Sequence, residues 1–520
     1  MKKIDYNTAL LYVLTAMICV SCTKEFLDQK PTSSITEESY FKNVNELETG
    51  LVACYAALNY QYWNTFEMSH WKIGDIGSDD ADCGSLYTDQ PDGYNLSYSR
   101  QNASNYWVLY PWYTFYAIIS RCNYVIDKSS EVPGDTIEIR KIVNQAKFLR
   151  AMVYYHLVTD YGDVPLFTKF LNPDELNQKR DPVASIYIQI ESDLHDATNL
   201  PTKNGWGNQG VGRATSGAAW SLLGKVYLTE KKYEQANQAF SQVVNSDQYS
   251  LVDDFGFIFR HDGENCNESI FEIQHKTNIA SGGNMGTVSA PYRMPRDPDF
   301  AGQAWGFDCP TKDLLNEFEE GDPRIIYTFM FPGDVFPIDG TSTYTVIDSL
   351  SPTGYNARKT YIPFSERAGL NWSDWDINYR YMRYAEVLLL YAESLNEVGK
   401  PTEALQLLNQ VRARARNTPS TDPQRISCVH DLSYTGELLP DVTTTDQSEL
   451  RKAIWHEQRV ELAIEGHRRN MLLRTGQFKD RMETAKAYAG VTVEPYEWLL
   501  PVPQQEIELS NNVLTQNPGY

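Results

Sequence analysis

The sequence predicts a mainly all-α fold: tetratricopeptide-like helical hairpins forming a scaffold, with long loop-rich inserts carrying the binding surface. Three observations predict it. Trp220-Ser-Leu-Leu223-Gly224-Lys-Val-Tyr227 reproduces the W-x2-L-G-x2-Y opening of a tetratricopeptide repeat, and Ala236 and Phe240 follow at the spacing of its second helix. A second pair of the same design runs from Arg383 to Ala415. Two other regions, 60–111 and about 250–380, are rich in Gly, Pro, Asp, Asn and aromatic residues and carry only short apolar runs.

In chain order, Lys2 and Lys3 precede an apolar stretch from Ala9 to Val20. It is too short to span a bilayer, which takes about 20 residues, and has the length of a secretory signal. It ends Cys19-Val20-Ser21-Cys22, which resembles a bacterial lipobox, with Cys19 where Leu is usual. Residues 1–21 then read as a signal peptide and Cys22 as the acylated first residue of the mature chain. Two or more acyl chains anchor a protein stably where one does not.

The helical frame is expected at about 34–60, 112–250 and 380–475, with inserts at about 60–111 and 250–380. Asn144 to Val158 reads as a first helix, with Pro182 to Leu200 as its partner. In the next hairpin, small Gly224 and Ala236 let two helices approach while Leu223, Tyr227 and Phe240 fill the seam. In the pair from Arg383 to Ala415, Ala392 and Ala404 are the small positions, and Leu388, Leu395, Leu408 and Val411 the large ones. Gly399 with Pro401 makes the break between them. Glu449 to Leu473 is a further amphipathic stretch. Stacked hairpins bury their faces on neighbours and form one solenoid. The inserts hold too many Trp and Tyr for disorder; they read as ordered loops on a rigid frame, where binding residues commonly sit.

The net charge of −22 argues against nucleic acid, whose binding needs Lys and Arg on phosphates. The 34 Tyr, 20 Phe and 11 Trp suit a surface that binds flat apolar faces, beside what a helical core absorbs. Beyond Cys19 and Cys22, the six remaining cysteines show no C-x-x-C, which argues against zinc and leaves their pairing open. Catalytic motifs are missing. His456-Glu457 is followed by Val460 where H-E-x-x-H needs its second His. There is no G-x-S-x-G elbow and no P-loop, and "SGGNMG" (281–286) reads as a flexible loop. Glu457, Glu461 and Glu465 stack at four-residue spacing. A carboxylate pair could do glycosidase chemistry, but a structural ion network with Arg459, Arg468 or the Arg412-Arg414-Arg416 run is the favoured reading. No cofactor is implied.

Several segments, in order, resemble the SusD/RagB family of outer-membrane nutrient-binding lipoproteins. They are "CTKEFLDQKPTSSITEESYFKNVNELETGLVACYAALN", "FLRAMVYYHLVTDYGDVPLF", "RATSGAAWSLLGKVYL", "RYAEVLLLYAESLNE" with "LNQVRARA", "IWHEQRVELAIEGHRRNMLLRTG" and the closing "LLPVPQQEIELSNNVLTQNPGY". The resemblance implies a non-catalytic protein held by lipid in the outer membrane, facing outward; Lys24-Glu25 is similar to the charged export tag of such lipoproteins. It implies a partner, a SusC-like TonB-dependent transporter, on which the lipoprotein sits as a lid that captures and delivers an oligomeric nutrient, usually a glycan and in some members a peptide. A surface glycosidase and a pure protein scaffold are the competing readings.

In that family the ligand platform comes from the loop before a W-x3-Y-x2-I helix and from the later insert. Trp112, Tyr116, Ile119 and Asn123 match the helix and are assigned to structure. From the first loop the candidates are Asp79, Asp80, Tyr94, Tyr98 and Asn102, with Trp107 expected to pack on the frame. From the second insert they are Tyr292, Trp305, Trp372 and Trp375. Asp79, Asp80, Asp82 and Asp89 could instead supply oxygens to calcium, although no EF-hand order is present.

Overall fold

A computed structural model describes residues 41–59, 64–277, 286–297, 304–347, 351–367 and 375–520. Helices dominate, with only two-stranded sheets among the described residues. The frame consists of α1 (Val44–Ala56), α4 (Tyr106–Lys128), α5 (Thr136–Tyr161), α6 (Val183–Ala197), α7 (Ser216–Thr229), α8 (Tyr233–Val244), α9 (Tyr384–Glu397), α10 (Pro401–Asn417) and α11 (Gln447–Glu461). Short α2 (Phe66–Trp71) and α3 (Pro91–Ser97) lie in the first insert.

The repeat motif performs as its spacing requires. Thr215 caps α7 by accepting from the Ala218 amide. A Cβ on Gly224 would stand 2.5 Å from the Phe240 ring, so glycine is what allows α7 and α8 to close on each other. In the second hairpin Gly399 takes φ +77° and Pro401 opens α10. Ala392, Ala404 and Leu408 are fully buried. Neighbouring pairs stack: α4 on α5, α5 on α6, α6 on α7, and α8 on α9 although the whole second insert lies between them in sequence. Arg150 on α5 joins three helices, donating to Asp193 on α6 at 2.7 and 2.8 Å and to Asn123 on α4 at 2.6 Å. Asn123 also donates to the Phe167 and Lys169 carbonyls, and Tyr116 to that of Pro165. Tyr116 and Asn123 thus tie this helix to the frame, in the structural role assigned to them.

Two expectations need correction. The first insert is not purely loop: it contains α2, a π-helical turn at Lys72–Ile76, α3 and the first turns of α4. The stretch from Glu449 to Leu473 is not one helix. It breaks after Glu461 and resumes as α12 (Arg468–Thr475), with Ile464 and Gly466 at positive φ. At this break the chain passes against the π-turn. A Cβ on Gly74 would stand 1.9 Å from the Gly466 carbonyl oxygen, and one on Gly466 would stand 2.4 Å from His70. The Gly466 amide donates to both oxygens of Asp75 at 2.8 and 2.9 Å. A helical sequence is overridden by a close tertiary crossing.

The three stacked glutamates are structural. Glu457 and Glu461 accept from Arg324, Glu457 from Arg412, Glu461 from Arg383 and Arg414, and Glu465 from Arg383 and Lys359, all buried. Burial alone would raise the Glu461 carboxyl, but Arg414, Arg383 and Arg324 bring it well below the ordinary carboxylate range. Arg459 and Arg468, also expected here, serve elsewhere.

Candidate functional site

The two inserts meet through one antiparallel ladder. Strand β1 (Ala81–Gly84) pairs with β3 (Phe307–Pro310), Asp82 opposite Cys309 and Gly84 opposite Phe307; the strand between them in sequence, β2 (Ser269–Ile273), pairs instead with β4 (Tyr379–Arg383). The ladder is extended at both ends, by Thr311 N–H to the Asp80 carbonyl at 2.8 Å and Ser85 N–H to the Gly306 carbonyl at 2.7 Å. Gly84 has φ +75°, and a Cβ there would lie 2.2 Å from the Gly306 oxygen. Glycine therefore permits the tight exit that throws the next residues onto the surface.

Those residues build a row of rings. Tyr87 packs edge-on against Tyr94 with centroids 5.3 Å apart, and Tyr94 against Tyr98 at 5.9 Å. Tyr98 and Tyr488, the latter from the C-terminal segment, both donate their hydroxyls to Asp82, Tyr98 at 3.1 Å. Asp82 is fully buried and also accepts from Ser97 at 3.1 Å and the Cys83 amide at 2.7 Å. Tyr87 and Tyr488 are 60% and 64% exposed, so the row presents ring faces while its base is locked. Tyr94 donates to the Ser85 carbonyl at 3.2 Å. The Arg100 guanidinium lies 5.5 Å from the Tyr98 ring and donates to the Ala489 carbonyl. Burial first, and the Asp82 charge second, push the Tyr98 and Tyr488 hydroxyls far above the usual phenol range. They remain donors at any physiological pH.

The second insert contributes Arg296, which donates to Ser85 Oγ at 2.6 Å and to Asp89, with its guanidinium 6.0 Å from the Trp305 ring. Trp305, half-buried, stacks on Tyr292 at 5.7 Å and 15°, and Tyr292 on Phe307 with the same geometry. Tyr94, Tyr98 and Trp305 thus belong to one surface. Tyr292 does not reach it: it is buried as the middle ring of the stack. Asn102 is exposed, but its side-chain oxygen accepts from the Ser104 amide in the turn before α4. Trp107 packs on the frame as expected, with its indole N–H on Gln90 and Lys72 over its ring.

Besides Tyr292, three candidates are corrected. Asp79 and Asp80 face no solvent. Arg468 holds Asp79 through both oxygens at 2.7 and 2.9 Å, Arg481 adds a bond at 2.9 Å, and Arg459 joins Asp79 at 3.0 Å to Asp80 at 2.8 Å. Burial would raise Asp79, but these arginines hold it far below the usual range. The pair rivets the first insert to α11 and α12. Trp375 is buried in a satellite core with Met294, Tyr361 and Ile377, its backbone paired with Thr287. Trp372 and Cys22 lie outside the described residues. The acidic quartet proposed for calcium is engaged otherwise, Asp89 with Arg296 and Asp82 with tyrosines. Among the described residues, no group of three or more His, Cys, Asp or Glu is arranged to hold a metal, and no helix is long and apolar enough to cross a membrane.

Sequence reasoning missed Tyr87, Tyr488, Asp82 as an anchor, and Arg296. Tyr87 stood in the same aromatic loop and was readable there. Tyr488 carries no local signal, because only the fold brings it to Asp82.

Comparison with known proteins agrees with this architecture. The model described as SusD family matches residues 267–520, and the one described as "Starch-binding associating with outer membrane" matches 25–228. A SusD-like protein of Formosa agariphila is 26% identical over 539 residues, covering 98% of this chain and 99% of its own. A solved structure described as a laminarin-binding SusD-like protein is 28% identical with a TM-score of 0.74, covering 92% of this chain and all of that one. A SusD homologue of Bacteroides thetaiotaomicron, 22% identical over 94% of this chain and 99% of its own, shares the fold with a TM-score of 0.76. The chain belongs to the SusD/RagB family.

Proposed function

We propose that this protein is a non-catalytic surface lipoprotein of the outer membrane that binds an oligosaccharide or polysaccharide and delivers it, as a lid, to a SusC-like TonB-dependent transporter. One observation carries the reading: Tyr87, Tyr94, Tyr98 and Tyr488 form a solvent-facing row whose orientation is set by the buried Asp82 beneath two of its rings. Sugar C–H faces pack on such rings, and Arg100, Arg296 and Asp89 at the margin offer partners for hydroxyls. The name of the 28% identical relative, which binds laminarin, supports the ligand class. Anchoring through Cys22, outward orientation and the transporter rest on the lipobox-like motif and the family.

The test is affinity electrophoresis on starch, laminarin, xylan, mannan and pectin, followed by calorimetry on each glycan retained. Tyr94→Ala with Tyr98→Ala weakens binding by at least about tenfold, a ring contributing roughly 1 kcal/mol. Undiminished affinity in that variant removes the platform from the site. Release of new reducing ends would make the protein an enzyme instead.

A further inference from the structure

Helix α4 carries a second aromatic surface. Tyr106, Tyr110 and Tyr113 recur at i, i+4 and i+7, which puts them on one side of the helix. Tyr106 is 56% and Tyr113 43% exposed; Tyr106 and Tyr110 stack with centroids 5.6 Å apart and planes at 23°. The opposite side of the same helix is buried through Val108, Trp112, Phe115 and Ile119. Packing therefore does not account for the exposed row.

The row ends in a groove of about 430 Å³ lined by Trp112, Tyr113, Tyr116, Phe167, Glu506 and Leu509 among others. One wall is the C-terminal helix α13 (Gln504–Leu509), pinned by the Gln504 amide to the Ala103 carbonyl at 2.8 Å. Within it, the Glu506 carboxylate interacts with the Trp112 side chain, while its Oε1 is buried with no donor in reach. A buried acceptor left without a donor is costly, and native structures seldom keep one without a reason. A hydroxyl-bearing ring would meet it: flat C–H faces for the aromatic walls and an O–H for the carboxylate. The volume falls in the range of small-ligand pockets, enough for one or two sugar rings and too little for a docked helix.

The row starts beside the platform. The Tyr106 amide donates to Asp92 at 2.8 Å, and Asp92 lies on α3, the helix that carries Tyr94. From there the row climbs about 10 Å along α4, at 1.5 Å per residue.

We propose that Tyr106, Tyr110, Tyr113 and the Glu506 groove form a second contact site for the same glycan chain, so that a polysaccharide engages platform and groove together while a short oligosaccharide engages one. The inference rests on the glycan-binding reading above. A ligand spanning two linked sites makes its second contact intramolecularly and gains avidity without either site being strong.

The experiment compares native protein with Tyr113→Ala plus Glu506→Gln, using starch, laminarin, xylan, mannan and pectin and hexasaccharides of whichever are retained. The double variant loses about tenfold in affinity for the polysaccharide and less than about twofold for the hexasaccharide, with an unchanged thermal melt. Tyr113→Ala alone, at an exposed position, shows a smaller loss of the same kind and serves if the double variant misfolds. Native-like polysaccharide binding by both variants overturns the second site, while loss of binding by the Tyr94→Ala, Tyr98→Ala variant would leave the platform standing. Native-like glycan binding with lost co-purification of a protein would make the groove a protein-docking surface and equally overturn it. If the native protein retains none of the five glycans, platform and groove fall together.

Discussion

Asp79 and Asp82 stand three positions apart and are equally buried, yet they sit in opposite settings. Asp79 is surrounded by the guanidinium groups of Arg459, Arg468 and Arg481, charges supplied by the frame and the C-terminal segment. Asp82 accepts from neutral hydroxyls, those of Ser97, Tyr98 and Tyr488, and the nearest cation, Lys486, stands one step away on Ser97 Oγ at 2.9 Å. The first arrangement ties the insert to the helices. The second keeps a carboxylate under a surface so that two rings cannot turn. Burial and residue type are alike in both; the partners decide the role. Asp160 is a third setting, a buried carboxylate with Arg469 at 3.9 Å as its ion-pair partner, and burial pushes it up to about 7.

The largest expected effect comes from the ion-paired member. Asp79→Ala strips Arg468 of its two-oxygen partner and removes one anion from Arg459 and Arg481, which keep Asp313, and breaking a buried pair this way costs about 3–5 kcal/mol. Chemical denaturation reads it; a loss below about 1 kcal/mol would dissolve the contrast with Asp82. Next is the pH response of the under-paired member. Because the folded-state pKa of Asp160 lies above its unfolded value of about 3.8, the folded chain binds the proton more tightly. Its contribution is intact below pH 4 and is lost as pH rises towards about 7, at up to about 1.4 kcal/mol per pH unit. Asp160→Asn removes that slope, so the variant gains on the native protein towards pH 8 and matches it near pH 4. Parallel pH–stability curves for the two proteins would show that Asp160 is not the titrating group. The smallest effect on stability belongs to Asp82→Asn, which keeps an acceptor of the same shape and costs roughly 1–2 kcal/mol. Its signature is functional: glycan binding weakens several-fold as Tyr98 and Tyr488 come loose. An Asp82→Asn protein with native affinity would mean that ring orientation does not depend on the buried charge.

Much of the frame was legible from residue spacing. The W-x2-L-G-x2-Y run, Ala236 and Phe240, and the Gly399–Pro401 break each describe contacts between elements adjacent in sequence, and small-against-large packing over one hairpin is a local property. The aromatic loops stood out by composition as candidates for a binding surface, and Tyr94, Tyr98 and Trp305, chosen that way, lie on one side of the fold. Trp375 and Tyr292 were not separable from them, because an aromatic residue suits a core as well as a surface. Nothing within the loop tells which rings face inwards.

The sequence by itself determined that this protein is a stack of helical hairpins with aromatic-rich inserts, since periodicity and glycine placement act over a single turn or hairpin. The tertiary structure decided which carboxylate meets arginine and which meets tyrosine, where the helix at 461 must stop, and that Tyr488 joins a loop some four hundred residues earlier. Those outcomes depend on what long-range folding brings within hydrogen-bonding reach, and no local pattern encodes that distance.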